Sequence, residues 1–187
     1  MITENDIELV LRLRNGDISA GGSLYSRYKQ NVYYFVLKMV KDEAAAEDIV
    51  QQTFMAMIEK IAMLQKNEIF RPWLFSIARN ESLMFLRRKN LVPMEGLEVS
   101  EQSVFDEATP DTIFAQRETE RLVHDAVALL TPAYREIILL QMTEQLSYDE
   151  IAVITNSTVS SVRSKLHKAR IALAKKLSPM IQKERRQ

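Results

Sequence analysis

The sequence predicts an all-α chain: two small helical domains joined by a flexible linker. Three observations carry that expectation. Apolar residues recur at helical spacing through both halves, no segment alternates with period two over a convincing length, and an acidic, turn-rich strip without periodicity separates the halves. With 47% hydrophobic and 27% charged residues and only four Gly and five Pro among 187, the composition excludes a disordered or collagen-like chain.

In chain order, Thr3 with Asp6 and the stop at Asn15-Gly16 bracket a short first helix. Residues Ser23 to Val40 form the second, with Leu24, Tyr28, Val32, Phe35, Val36 and Met39 on its apolar side. Asp48 to Leu64 repeats Val50, Phe54, Met57, Ile58, Ile61 and Leu64 as the buried stripe of a third helix. Its other side carries Asp48, Gln51, Gln52, Met55 and Glu59. Phe70 to Lys89 is the fourth, where Pro72 is admissible because it falls in the first turn.

Thr112 to Leu130 is the fifth helix, and Thr131-Pro132 launches a sixth over Ala133 to Met142. Ser147 and Glu150 have the spacing of a capping box, so a seventh helix starts at Tyr148 and buries Ile151, Ala152 and Ile154. Thr155-Asn156-Ser157 is long enough only for a turn, and Asn is the commonest non-Gly residue to accept the left-handed backbone such a reversal needs. Thr158 caps the last helix, which buries Val162, Leu166, Ala169 and Leu173 and leaves Ser160, Arg163, Ser164 and His167 on another face. This is a helix-turn-helix whose second helix is polar and cationic, a form able to enter a major groove.

Charge is balanced over the chain and segregated along it. Phe70 to Asn90 holds five bases against one acid, net +4; Leu91 to Asp111 holds six acids and no base; Val159 to Gln187 holds nine bases against one acid, net +8. Two polyanion-facing surfaces therefore flank an acidic linker. The domains expected are 1–90 and 112–187, with 91–111 between them.

Three strings in order give the chain a family resemblance that covers nearly its whole length. AEDIVQQTF (Ala46 to Phe54), FRPWLFSIARNESLMFLRRK (Phe70 to Lys89), and LLTPAYREIILLQ followed by the helix-turn-helix resemble regions two and four of the extracytoplasmic-function sigma factors of bacterial RNA polymerase. Met84, Gln52, Asn156 and Ser160 stand where the family more often has Asp, Glu, Gly and Gly. The resemblance implies a factor that binds core polymerase at its clamp helices and flap, recognises the minus-thirty-five and minus-ten elements, and melts DNA. It further implies control by an anti-sigma factor and an acidic linker that threads the polymerase cleft.

Site residues follow from the resemblance together with helix faces. Asp48, Gln51, Gln52, Met55 and Glu59 would bind polymerase. Asn67, Arg71, Ser76, Arg79, Asn80, Arg87, Arg88 and Lys89 would serve the minus-ten element, with Asn80 reading a base edge and the cations holding phosphates. The loop at about Gln65 to Ile69 would capture a flipped base, while Trp73 is expected in the core. Ser160, Ser161, Arg163, Ser164, Lys165, His167, Lys168 and Arg170 would face the minus-thirty-five element.

No catalytic residue, cofactor or metal is expected. There is no phosphate-cradling Gly loop, no HExxH and no Cys, and His124 and His167 are isolated. No membrane insertion is expected either, since the longest apolar run, Val32 to Val40, is interrupted by Lys38. The opening MITENDIELV lacks the order of a secretory signal, so the chain is expected to stay where it is made, and the resemblance implies that this is the bacterial cytoplasm. The competing reading is a stand-alone helix-turn-helix regulator with a ligand-sensing N-terminal bundle.

Overall fold

The computed structural model describes residues 5–89, 114–142 and 145–184, with 114–120 and 183–184 as backbone only. Among these, every regular element is helical. Thr3 and the linker 91–111 lie outside the described residues.

Helix α1 (Asp6–Arg14) is capped by Asn5, whose side chain accepts from the Ile7 N–H at 2.8 Å. Gly16 ends the segment at φ 92, a left-handed geometry that costs glycine nothing. Asp17 then caps α2 (Ile18–Val40), so that helix begins five residues before its apolar period does. The Asp17 carboxylate also accepts from Arg12 Nε at 2.8 Å. Hydrogen bonds from Ser19 and from Arg12 hold Asp17 down to a pKa of about 2, locking α1 onto the start of α2.

Asp42 caps α3 (Glu43–Lys60), which again starts upstream of the expected Asp48. The helix gives way to a 3-10 turn over Ile61–Met63 instead of continuing to Leu64, and a second such turn, Asn67–Ile69, leads into α4 (Phe70–Arg88). Phe35, Phe70, Phe75 and Leu74 are at most 1% exposed at the centre of this bundle. Complete burial of each such side chain contributes about 1.5–3 kcal/mol. Trp73 is half-buried against that core, with its ring 6.1 Å from that of Phe70. Ile58 departs from the expected buried stripe: it is 47% exposed.

The C-terminal half is α5 (Phe114–Ala128), α6 (Pro132–Met142), α7 (Tyr148–Thr155) and α8 (Val159–Glu184). Helix α8 runs 26 residues and carries Pro179 inside it. The two halves meet where α4 packs on α7 and α2 on α6. The junction is polar at its centre. Arg135, 7% exposed, donates from Nη1 to the Met39 carbonyl at 3.0 Å and from Nη2 to those of Ala128 and Leu130, both at 2.9 Å. Lys41, which closes α2 in a left-handed conformation, donates to the same Ala128 carbonyl at 2.6 Å. Two cations thus sit where the negative ends of α2 and α5 converge.

Candidate functional site

The helix-turn-helix is built by short-range bonds. Ser147 Oγ accepts from the Glu150 N–H at 3.2 Å while the Ser147 N–H donates to Glu150 Oε2 at 2.8 Å, so two donors at the start of α7 are satisfied reciprocally. Asn156 turns the chain at φ 48, ψ 53, and the Ser161 N–H donates to Thr158 Oγ1 to start α8. Val162, Leu166, Ala169 and Leu173 are buried beneath, as expected. Ser160, Ser161, Arg163, Ser164, His167, Lys168 and Arg170 are exposed, and Lys165 is half-buried on the flank.

Two of these side chains have partners among the described residues. The Arg163 guanidinium lies 5.9 Å from the centre of the Tyr148 ring, and Arg170 donates to Gln141 Oε1 at 3.2 Å, which turns it back toward α6. The first contact pre-orients Arg163 on the face shared with Ser160, Ser164 and His167. Tyr148 is absent from the sequence-derived set, though its place at the first turn of α7 was legible.

On α4 the arrangement is divided. Asn80, Arg87, Arg88 and Lys89 are exposed. Lys89 pairs with Asp42 at 2.8 Å and sits 4.6 Å from the centre of the Phe85 ring, and this pairing, with the Ala45 N–H, holds the Asp42 carboxyl below the usual carboxylate range. Ser76 is half-buried and donates to the Trp73 carbonyl at 2.7 Å. Arg71 is half-buried. Arg79 is turned from solvent toward the other half: it is 18% exposed, and its Nε donates at 2.5 Å to Glu136, whose side chain is 2% exposed. Its Nη1 reaches Asn80 Oδ1 at 3.3 Å.

Asp48, Gln51, Gln52, Met55 and Glu59 are all exposed on α3. Gln51 and Met55 form one wall of a groove whose other wall is Tyr25, Lys29 and Tyr33 of α2, with Ile58 at one end. Met55 is 54% exposed and Tyr25 43%. The α2 residues were missed. Their signal was an i, i+4, i+8 row one position after the buried Leu24, Tyr28 and Val32. Separately, the loop ahead of α4 brings Gln65, Lys66, Asn67 and Glu68 together with Arg14 of α1 around an open concavity.

No group of His, Cys, Asp or Glu among the described residues could hold a metal ion, and no described helix is long and apolar enough to cross a membrane.

Comparison with known proteins places both halves of the chain in one family. Residues 24–91 match the sigma-70 region 2 family model and residues 120–173 that of sigma-70 region 4. The chain is 28% identical over 176 residues to the ECF RNA polymerase sigma factor SigW of Bacillus subtilis, covering 90% of this chain and 94% of that one. It is 30% identical over 150 residues to SigM of the same organism, covering 79% and 88%. Among solved structures, that of CnrH in complex with the cytosolic domain of CnrY shares the fold at a TM-score of 0.70 and 22% identity, covering 93% of this chain and 97% of that one. With both regions matched in order and SigM aligned over most of its length, the chain belongs to the extracytoplasmic-function sigma factors of the sigma-70 family.

Proposed function

We propose that this sigma factor works through three separate surfaces, in domains spanning 1–90 and 112–187 joined by the acidic segment 91–111. The α2–α3 groove, with Asp48, Gln51, Gln52, Met55 and Glu59 along one side, takes the clamp helices of core polymerase. Asn80, Arg87, Arg88 and Lys89 of α4, with Asn67, Arg71, Ser76 and Arg79, hold and read the melted minus-ten strand. The exposed face of α8 reads the minus-thirty-five duplex. The C-terminal half also meets the polymerase flap, and an anti-sigma factor competes for these surfaces. The place of action is the bacterial cytoplasm, where polymerase and promoter are found. The chain supplies recognition, with no catalytic residue or cofactor of its own.

The observation that carries this reading is the pairing, in one chain, of an exposed apolar groove with a cationic recognition helix. Met55, Ile58 and Tyr25 are about half exposed and line a surface that only a protein partner would cover, whereas Arg163, Ser160 and Ser164 present donors suited to base edges. A self-sufficient repressor would use that groove to dimerise and would then bind duplex tightly without core polymerase.

The test is transcription in vitro from a promoter pool, with core polymerase alone and with the chain added, alongside gel shifts with and without core. The expected result is promoter-specific initiation only when both are present, and its loss with Met55→Glu at unchanged helicity. Tight duplex binding without core would favour the repressor reading instead.

A further inference from the structure

The concavity ahead of α4 is walled entirely by polar side chains, and one of them comes from far away in sequence. Arg14, the last residue of α1, donates from Nη1 to Asn67 Oδ1 at 3.0 Å. Gln65, Lys66 and Glu68 complete the wall. Arg14 is exposed, yet the helix that carries it is well fixed. Arg12 is bonded to Asp17 at 2.8 Å and 2.5 Å, and α1 packs against α2 and against both 3-10 turns. The guanidinium therefore projects from a rigid support onto a loop residue.

A guanidinium only donates, so the amide atom it engages must be the carbonyl oxygen. That settles which end of Asn67 is left for anything entering the concavity. With Oδ1 held by Arg14, the available atom is Nδ2, which carries two donor hydrogens. An Asn without this restraint exchanges its donor and acceptor ends by a half-turn of the amide and would accept either kind of edge.

We infer that Arg14 is a positioning residue for minus-ten specificity: by holding the Asn67 carbonyl it presents the donor end of the amide to an unpaired base, so the concavity selects a base whose edge offers an acceptor. This rests on the reading above that the Gln65 to Ile69 loop takes a base of the melted strand. It assigns a role to α1, which lies outside the matched region 24–91.

The experiment uses holoenzyme reconstituted from core polymerase and the full chain. A promoter selected by the wild-type holoenzyme is varied through all four bases at each minus-ten position, and open-complex formation is scored by competition. Wild type, Arg14→Met, Arg14→Lys and Asn67→Ala are compared. Arg14→Met should flatten the preference at one minus-ten position by about three- to tenfold, the scale of one hydrogen bond, leaving the minus-thirty-five preferences and core affinity unchanged. Arg14→Lys, which still donates, should retain the preference, and Asn67→Ala should lose it at the same position. If Asn67→Ala loses it but Arg14→Met does not, the inference is overturned and the loop reading stands. If Asn67→Ala changes no preference, the loop reading falls and takes the inference with it. A loss in Arg14→Met that is equal for every sequence would make Arg14 a phosphate contact, which also overturns it.

Discussion

Replacing Arg79 with Met should separate the two halves of the protein without unfolding either. Glu136 is 2% exposed, and the Arg79 guanidinium reaches it at 2.5 Å from across the junction. Removing one partner of a buried ion pair costs about 3–5 kcal/mol, because the other charge is left desolvated. Here the cost is smaller, since Arg79 is itself 18% exposed and water reaches that edge of the pair. About 2 kcal/mol is a fair scale, which is roughly a thirtyfold change in an equilibrium. The equilibrium that changes is docking. Parting α4 from α7 returns Glu136 to water at the price of the interface alone, while unfolding would expose both cores.

The chain contains no Cys, so dyes can be placed at Glu59→Cys on α3 and Lys175→Cys on α8 with no background labelling. Energy transfer between them should fall in Arg79→Met while far-ultraviolet dichroism stays constant. The double replacement Arg79→Met with Glu136→Leu removes both charges at once and should recover most of the transfer, since an apolar pair in a buried site is close to neutral relative to the ion pair. Unchanged transfer in the single variant would show that the pair does not hold the halves together. A double variant as open as the single one would show that Arg79 acts through something other than the Glu136 charge. No DNA is present in this assay, so the proposed contact of Arg79 with the minus-ten strand does not enter it.

Ser147→Ala removes the Oγ that accepts from the Glu150 N–H while keeping the backbone N–H that donates to Glu150, and should cost about 1 kcal/mol, read as a lower thermal midpoint; an unchanged midpoint would mean the cap is redundant. Partial burial, with Arg135 nearby, lowers Lys41 from 10.5 to about 8 in the docked arrangement. Between those values the separated form binds more protons, so docking should tighten as pH rises from about 8 to about 10, with Lys41→Met flattening the response. An energy-transfer signal that falls over that range would contradict this sign. Arg163→Ala should cost about 1–3 kcal/mol and relax preference at one or two minus-thirty-five positions, while Lys175→Ala should lower affinity evenly and reduce the salt slope by about one. Equal weakening of every sequence by Arg163→Ala would put that residue on a phosphate.

The parts of the molecule legible from sequence are those whose signals are short-range. The capping box spans three residues, the left-handed turn is a property of Asn156 itself, and the buried face of α8 repeats at helical spacing, so the helix-turn-helix could be drawn residue by residue. Helix starts were less legible because α2 and α3 begin at Asp17 and Asp42, upstream of their apolar periods, where the cap decides and not the core. Ile58 was misassigned because it fits the period of the stripe, yet it sits near the end of α3 where the chain turns away.

Least legible was the junction. Arg135 and Glu136 read as adjacent charges on an amphipathic helix, and nothing nearby says that they are buried. Their partners, Met39 and Arg79, stand 96 and 57 positions away. The physical character of that junction bears on function. Burial lowers Arg135 to about 10, and its Nε, among the described residues, is buried with no hydrogen-bond partner. An unsatisfied buried donor costs about 1–3 kcal/mol, a penalty that hydration removes when the halves part. The docked arrangement is thus held by charged bonds and weakened by an unmet one, in contrast to the apolar cores on either side. Such a contact is separable by a partner that offers Arg79 a different anion. On the proposed reading, in which Arg79 meets the minus-ten strand, the phosphates of that strand are an anion of that kind, and binding DNA and releasing Glu136 would be two sides of one exchange.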